Sequence, residues 1–313
     1  MVLPVDLNKV KNSANEISSK FSYDVKVNIF IDSSANDNLI DFIKSLFKSN
    51  NIDCVHWWNI EDKTLTEKLE FENIDLALII AGKSYQSFKM YLLLKQYEIK
   101  TAVVTLNPEY FINFCEEVNF PIGKKNIICP SFDLFEKKDC SQEIDSNKIN
   151  NKMKSDITNK LSKWLVSNCV LFKYSLSYNF EFLRDKLAWS CVRASSLENA
   201  LVGAIPIIPG PDMPAITLNQ IKMILQIAAI YGNDISEDRI LEIVVTAAFG
   251  IAFKNLSKYV KTNFKLTKFI VNPIFAYSWT TTLGSIAISY FKQGINCPNF
   301  LDMAKFGLNK LNN

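Results

Sequence analysis

The sequence predicts an α/β fold: a doubly wound, mostly parallel five-stranded sheet, followed by an all-α apolar helical domain. Three observations predict it. Short, wholly apolar runs alternate with amphipathic stretches over residues 24–133, the pattern of strands buried on both faces under crossover helices. Successive runs lie far enough apart for one helix between each pair, as parallel pairing requires. Beyond residue 153 no strand pattern returns, and apolar residues recur at helical spacing.

The strand candidates are 27–31 (VNIFI), 53–58 (DCVHWW), 76–80 (LALII), 101–106 (TAVVTL) and 126–129 (NIIC). Helices are expected between them near 38–49, 63–71, 85–97 and 108–118. Residues 134–152, LFEKKDCSQEIDSNKINNK, lose the apolar period and fill with Lys, Asp, Glu, Ser and Asn, as a solvated linker does. The expected division is therefore an α/β domain at 24–133 and a helical domain at 153–313. Met153, Ile157, Leu161, Trp164, Leu165 and Phe172 open the latter. Further on, Pro206, Pro209, Pro211 and Pro214 form a stiff entry into an almost uncharged helix. Asp212 and Pro214 read as its start and Gly232, after Tyr231, as its end. Phe269–Phe291 is uncharged between Lys268 and Lys292 and long enough to cross a bilayer. Its Ser, Thr, Asn and Pro content favours two buried helical segments broken near Pro273.

Composition excludes several classes. With 48% hydrophobic residues and only 9 glycines in 313, the chain folds around packed cores. A net charge of +3 over 35 basic and 32 acidic residues supplies no field for nucleic acid. Seven cysteines form no CxxC pair and no zinc spacing, so a reducing cytoplasm is expected and no metal site. The first twenty residues are polar where a signal peptide needs an apolar centre.

A doubly wound sheet binds ligands beyond the carboxyl ends of its strands. After the first strand stand Asp32, Ser33, Ser34 and Asn36, with neither the glycines nor the lysine of a phosphate loop; a serine or Asn36 suits a helix cap there. Gly82-Lys83-Ser84 after the third strand matches only the tail of such a loop, and Ser84 suits a cap. Asn107 and Ser131 follow the fourth and fifth strands. Asp32, Ser33, Lys83, Asn107 and Ser131 are thus the candidate nucleotide contacts, and no catalytic set is expected. His56, the single histidine, reads as structural.

In the helical part Pro206, Pro209, Gly210, Asp212, Gln220, Met223-Ile224 and Ile230-Tyr231-Gly232, then Thr282-Leu283-Gly284 and Tyr290-Phe291, carry a resemblance. This stretch, about 195–295, resembles the YcjF-type domain-of-unknown-function family, an apolar helical module of bacterial membrane proteins that is appended to Era-like GTPase domains. The resemblance implies a GTPase-like domain upstream. Its phosphate loop, DxxG and NKxD residues are absent from this chain, which leaves a degenerate GTPase-like or Rossmann-like sheet.

The expectation is a non-catalytic protein without cofactor. It would work at the cytoplasmic face of the cell membrane, on the membrane surface or an integral-membrane partner, and possible self-association would use the same helices. The alternative is a nucleotide binder or hydrolase with an unconventional loop.

Overall fold

The computed structural model describes residues 6–49, 51–131, 149–204, 212–233 and 268–293. In chain order the elements are α1 (Leu7–Phe21), β1 (Val27–Ile31), α2 (Asp37–Leu46), β2 (Val55–Asn59), α3 (Leu65–Lys68) and β3 (Leu76–Ala81). Next come α4 (Tyr85–Gln96), β4 (Lys100–Thr105), α5 (Pro108–Glu117) and β5 (Ile127–Ile128). The helices α6 (Asn151–Asn168), α7 (Lys173–Asn179), α8 (Arg184–Ala204), α9 (Asp212–Ile230) and α10 (Lys268–Lys292) follow. Two compact units form: Tyr23–Lys186, and the residues before Tyr23 together with those from Leu187 onward.

In the first unit the five strands lie in the order β2-β1-β3-β4-β5 and every neighbouring pair is parallel. Alternation along the strands divides the core. Val27 and Ile29, Leu76, Leu78 and Ile80, and Ala102 and Val104 face one side, with Leu39 and Ile43 of α2 and Ile157, Leu161 and Leu165 of α6. Phe30, Ala77, Ile79 and Val103 face the other, under Leu65, Phe88, Tyr91, Leu94 and Phe111. Strands buried on both faces must read as unbroken apolar runs, and β3 is buried at every position. The α/β unit thus extends beyond the expected limit at 133, because α6 and α7 pack their apolar residues into the core under the sheet. Asn150 caps α6 by accepting from Met153 N, so the helix begins inside the stretch expected to be linker; residues 134–148 lie outside the described residues.

Local differences have local causes. A single turn over Ile52–Cys54 delays β2 to Val55. The helix expected at 63–71 is one turn, α3, followed by a tight turn at Phe71–Asn73. The Phe269–Phe291 run forms one helix, α10, with Pro273 inside it, where two segments broken near Pro273 were expected. Pro273 lies in the first two turns, and the buried Ala276, Thr280, Gly284, Ala287 and Phe291 carry the helix on beyond it. Among the described residues no helix is long and apolar enough to cross a membrane.

In the second unit α1, unanticipated from sequence, sets Val10, Ala14 and Ile17 against Ile221, Leu225 and Ala229 of α9. Asp6 caps it by accepting from Asn8 N. Gly232 ends α9 at φ 81. Its N–H donates to Ala229 O at 2.9 Å while Asn233 N donates to Ala228 O at 3.0 Å, the paired bonds of a Schellman cap. Between α8, α9 and α10 lies a polar chain. Asn199 and Gln220 donate to Thr280 Oγ1 at 2.9 and 3.0 Å, and Asn219 donates to Asn199 Oδ1 at 2.9 Å. Thr280 and Asn199 are fully buried, so the bonds of the Asn199 and Gln220 amides to Thr280 fix the register of the three helices.

Candidate functional site

The strand order reverses direction at β1 and β3, and the chain leaves β1 for one face of the sheet and β3 for the other. A crevice is expected between their carboxyl ends, and ligands of doubly wound sheets settle there. Asp32 directly follows β1 and is fully buried. One carboxylate oxygen accepts from Ser34 N at 2.8 Å and Ser34 Oγ at 2.7 Å. The other accepts from Gly82 N at 3.3 Å, from Ser84 Oγ at 2.8 Å and from Ser87 Oγ. Burial pushes the Asp32 carboxyl upward, but the hydrogen bonds from Ser87, Ser34 and Ser84 outweigh it and hold the group below the usual carboxylate range. The charge is therefore held by the protein's own donors, with no lone-pair direction left for a magnesium or a substrate.

Ser34 completes the closure. Its hydroxyl accepts from Lys83 N at 2.9 Å and Ser84 N at 3.1 Å. These are the backbone N–H groups that lead into α4, where a bound phosphate would sit. Gly82 is needed for the approach: a Cβ there would lie 2.2 Å from Ser34 C and 2.3 Å from Ser34 O. The β1 and β3 loops thus touch backbone to backbone, and one serine hydroxyl occupies the place of an anion. On the outer side Ser33 N and Ser33 Oγ donate to Glu61 Oε1 at 3.1 and 2.8 Å, tying the loop to the turn after β2.

The remaining candidates lie elsewhere. The Lys83 ammonium sits 5.2 Å above the Tyr110 ring. Asn107 occupies the cap position of α5 without a side-chain cap bond, and its N–H donates to Thr105 Oγ1 at 3.0 Å. Ser131 N and Oγ donate to Asp156 Oδ2 at 2.8 and 2.9 Å, and Lys160 Nζ donates to Ser131 Oγ at 2.9 Å. A Ser–Lys pair acts as a nucleophile only with a free amine. Here Lys160 is ion-paired to Asp156 at 2.9 Å and also donates to Cys129 O, so the group is a strut between the end of β5 and α6. Of the five candidates the structure brings Asp32, Ser33 and Lys83 to neighbouring loops, whereas Ser131 is committed to α6.

His56 is half-buried in β2, its ring 6.5 Å from that of Trp58. Burial pushes the Cys54 and Cys169 thiols up to about 12 and Cys115 to about 11, which leaves them un-ionised and unreactive at neutral pH. Among the described residues no group of three His, Cys, Asp or Glu side chains is placed to hold a metal ion. Gln220 and Gly284 join the α8–α9–α10 packing, and Tyr231 precedes the Gly232 cap. Asp212 is the first residue of α9, while Pro206, Pro209 and Gly210 lie outside the described residues.

Sequence reasoning reached Asp32, Ser33 and the capping Ser84, which accepts from Gln86 N. It missed the roles of Ser34, Ser87 and Glu61 toward them. Ser87 stands one turn after Ser84, a spacing that puts two hydroxyls on one side of a helix start. The sequence matches no known protein-family model and no curated protein.

Proposed function

We propose that this is a non-catalytic partner-binding protein, whose α/β unit is a scaffold with a self-occupied ligand crevice. The observation that carries this reading is the Ser34 hydroxyl on the backbone N–H groups of Lys83 and Ser84, beside an Asp32 carboxylate saturated by internal donors. Phosphoryl transfer needs a backbone cradle, a cation at the phosphates and a free metal ligand. Here the cradle is filled and the carboxylate engaged. A thermal-shift series with GTP, ATP and dinucleotides tests the proposal. The expected result is no shift; a binder at a hundredfold excess over its dissociation constant would gain about 3 kcal/mol of stability, and that gain would sink the reading.

The helical unit carries the resemblance to YcjF-type modules, and with it the proposal of work at the cytoplasmic face of a membrane. One feature supports it: α8 exposes Trp189, Leu197 and Leu201 along one stripe that also carries the exposed Arg193, the two leucines at 58% and 62%. Such a stripe favours contact with lipid or an integral-membrane partner. Liposome flotation of the full chain should carry the protein upward, and should lose it when Leu197 and Leu201 are both changed to Ser. Protein that stays at the bottom of the gradient with vesicles of either neutral or anionic lipid refutes the lipid contact.

A further inference from the structure

Beside the sealed crevice lies a second surface made by the starts of α4 and α5. Tyr85 and Tyr110 are exposed by 42% and 47%, although both are large aromatics in the first turns of helices. Tyr85 packs edge-on against Phe114 at 5.3 Å between ring centroids, and Phe114 is one helical turn from Tyr110 on α5. Beneath them the buried Phe88 and Phe111 meet edge to face at 6.2 Å. Tyr85 also packs on Phe88 at 5.4 Å, so its ring is held by neighbouring aromatics and loses little freedom on binding.

Charge lies over the rings. Lys83 Nζ is 5.2 Å from the Tyr110 centroid and Lys89 Nζ is 5.2 Å from that of Tyr85. Among the described residues neither ammonium belongs to an ion pair. Glu109, next to Tyr110 in the first turn of α5, pairs with neither.

We propose that Lys83, Tyr85, Lys89, Tyr110 and Phe114 form a docking surface for an acidic, partly apolar peptide segment of a protein partner. The inference rests on the partner-binding reading above and names the chemistry of that partner. Unpaired lysines held over aromatic faces gain most from carboxylates that arrive with apolar side chains, since the rings supply contact area and the ammonium groups supply sign. An exposed Tyr85 held against Phe88 and Phe114, beside the exposed Tyr110, is the composition of an interface hot spot. Single-stranded nucleic acid would also use rings and cations, but it needs a groove of positive charge along its backbone. Two lysines and a net charge of +3 do not provide one.

The test uses the full chain and a fluorescein-labelled peptide of alternating Glu and Phe, with oligothymidylate of matching length alongside. Anisotropy should show saturable peptide binding that weakens about tenfold from low to physiological salt. Lys83→Glu with Lys89→Glu should weaken it at least about tenfold, and Tyr110→Ala by about tenfold. The charge-matched pair Lys48→Glu with Lys152→Glu should change it less than about twofold. Absence of saturable binding, equal losses in both charge-reversed pairs, or tighter binding of oligothymidylate overturns the proposal. Failure of the peptide alone leaves the parent reading standing, whereas stabilisation by GTP or ATP removes that reading instead.

Discussion

Replacing Asp32 by alanine is expected to destabilise the α/β unit by about 3 to 5 kcal/mol, the cost of removing one member of a buried charged network. Five donors converge on this carboxylate, from Ser34, Gly82, Ser84 and Ser87. Without it the buried Ser87 hydroxyl and Gly82 N–H are left facing a cavity. Native-state hydrogen exchange of the β1 and β3 amides measures the loss, because these strands carry the two loops that the carboxylate joins. A change under about 1 kcal/mol would show that water replaces the acceptor and that the crevice is open. The pH dependence has a definite sign. The folded carboxyl is held below its ordinary value, so its stabilisation is present above the unfolded pKa of about 3.9 and disappears as pH falls through the folded pKa. Asp156, also depressed by Lys160 and Ser131 against burial, acts in the same direction. Stability of the wild-type unit should therefore fall on acidification below about pH 4, and the Asp32→Ala protein should fall less.

The second large effect is expected at Gly284. An added Cβ would lie 2.4 and 2.7 Å from the two methyls of Val192, which is fully buried on α8. Val192 is β-branched and inside a helix, so its χ1 has one preferred well and it cannot turn aside. Gly284→Ala should cost about 2 to 3 kcal/mol by overpacking, against the gain of about 1 kcal/mol that alanine brings to an open helix interior. Val192→Ala alone should cost about 2 kcal/mol through its cavity. Together they should cost less than their sum by at least about 1 kcal/mol, since each removes the other's fault. Exchange protection of the α8 and α10 amides reads all three proteins. Stabilisation by Gly284→Ala would mean that the two helices do not meet at this point.

The legible part of the fold is the part in which one physical constraint acts alone. β1, β3 and β4 are buried on both faces, so composition suffices to find them. β2 has no buried position, its residues being half-buried or exposed, and β5 is two residues long; there local turns decide the limits. α1 carries Val10, Ala14, Ile17 and Phe21 at helical spacing, yet its residues are mostly polar, and the partner that makes the stripe useful is α9. At the site, Asp32 and Ser33 were readable as ends of a strand that must meet a crevice. That Ser34 fills it follows from the register, which pairs Ile31 with Ile80 and so brings Gly82 across from the β1 loop. Likewise Gln220 stands out as a polar residue in an apolar run, while its acceptor, Thr280, is 60 positions away. No local pattern joins them.

The packing of α1 on α9 makes the α/β unit an insertion within the helical one, with consequences for the order of assembly. During synthesis α1 leaves the ribosome before the sheet, and the entire sheet must be made before α9 exists to receive it. At about 5 to 20 residues per second that interval is on the order of ten seconds or more, ample for the sheet to fold. Val10, Ala14 and Ile17 spend it uncovered. The nascent chain thus carries a tethered amphipathic segment while the sheet folds, and the helical unit closes only when segments on both sides of the sheet in the sequence meet.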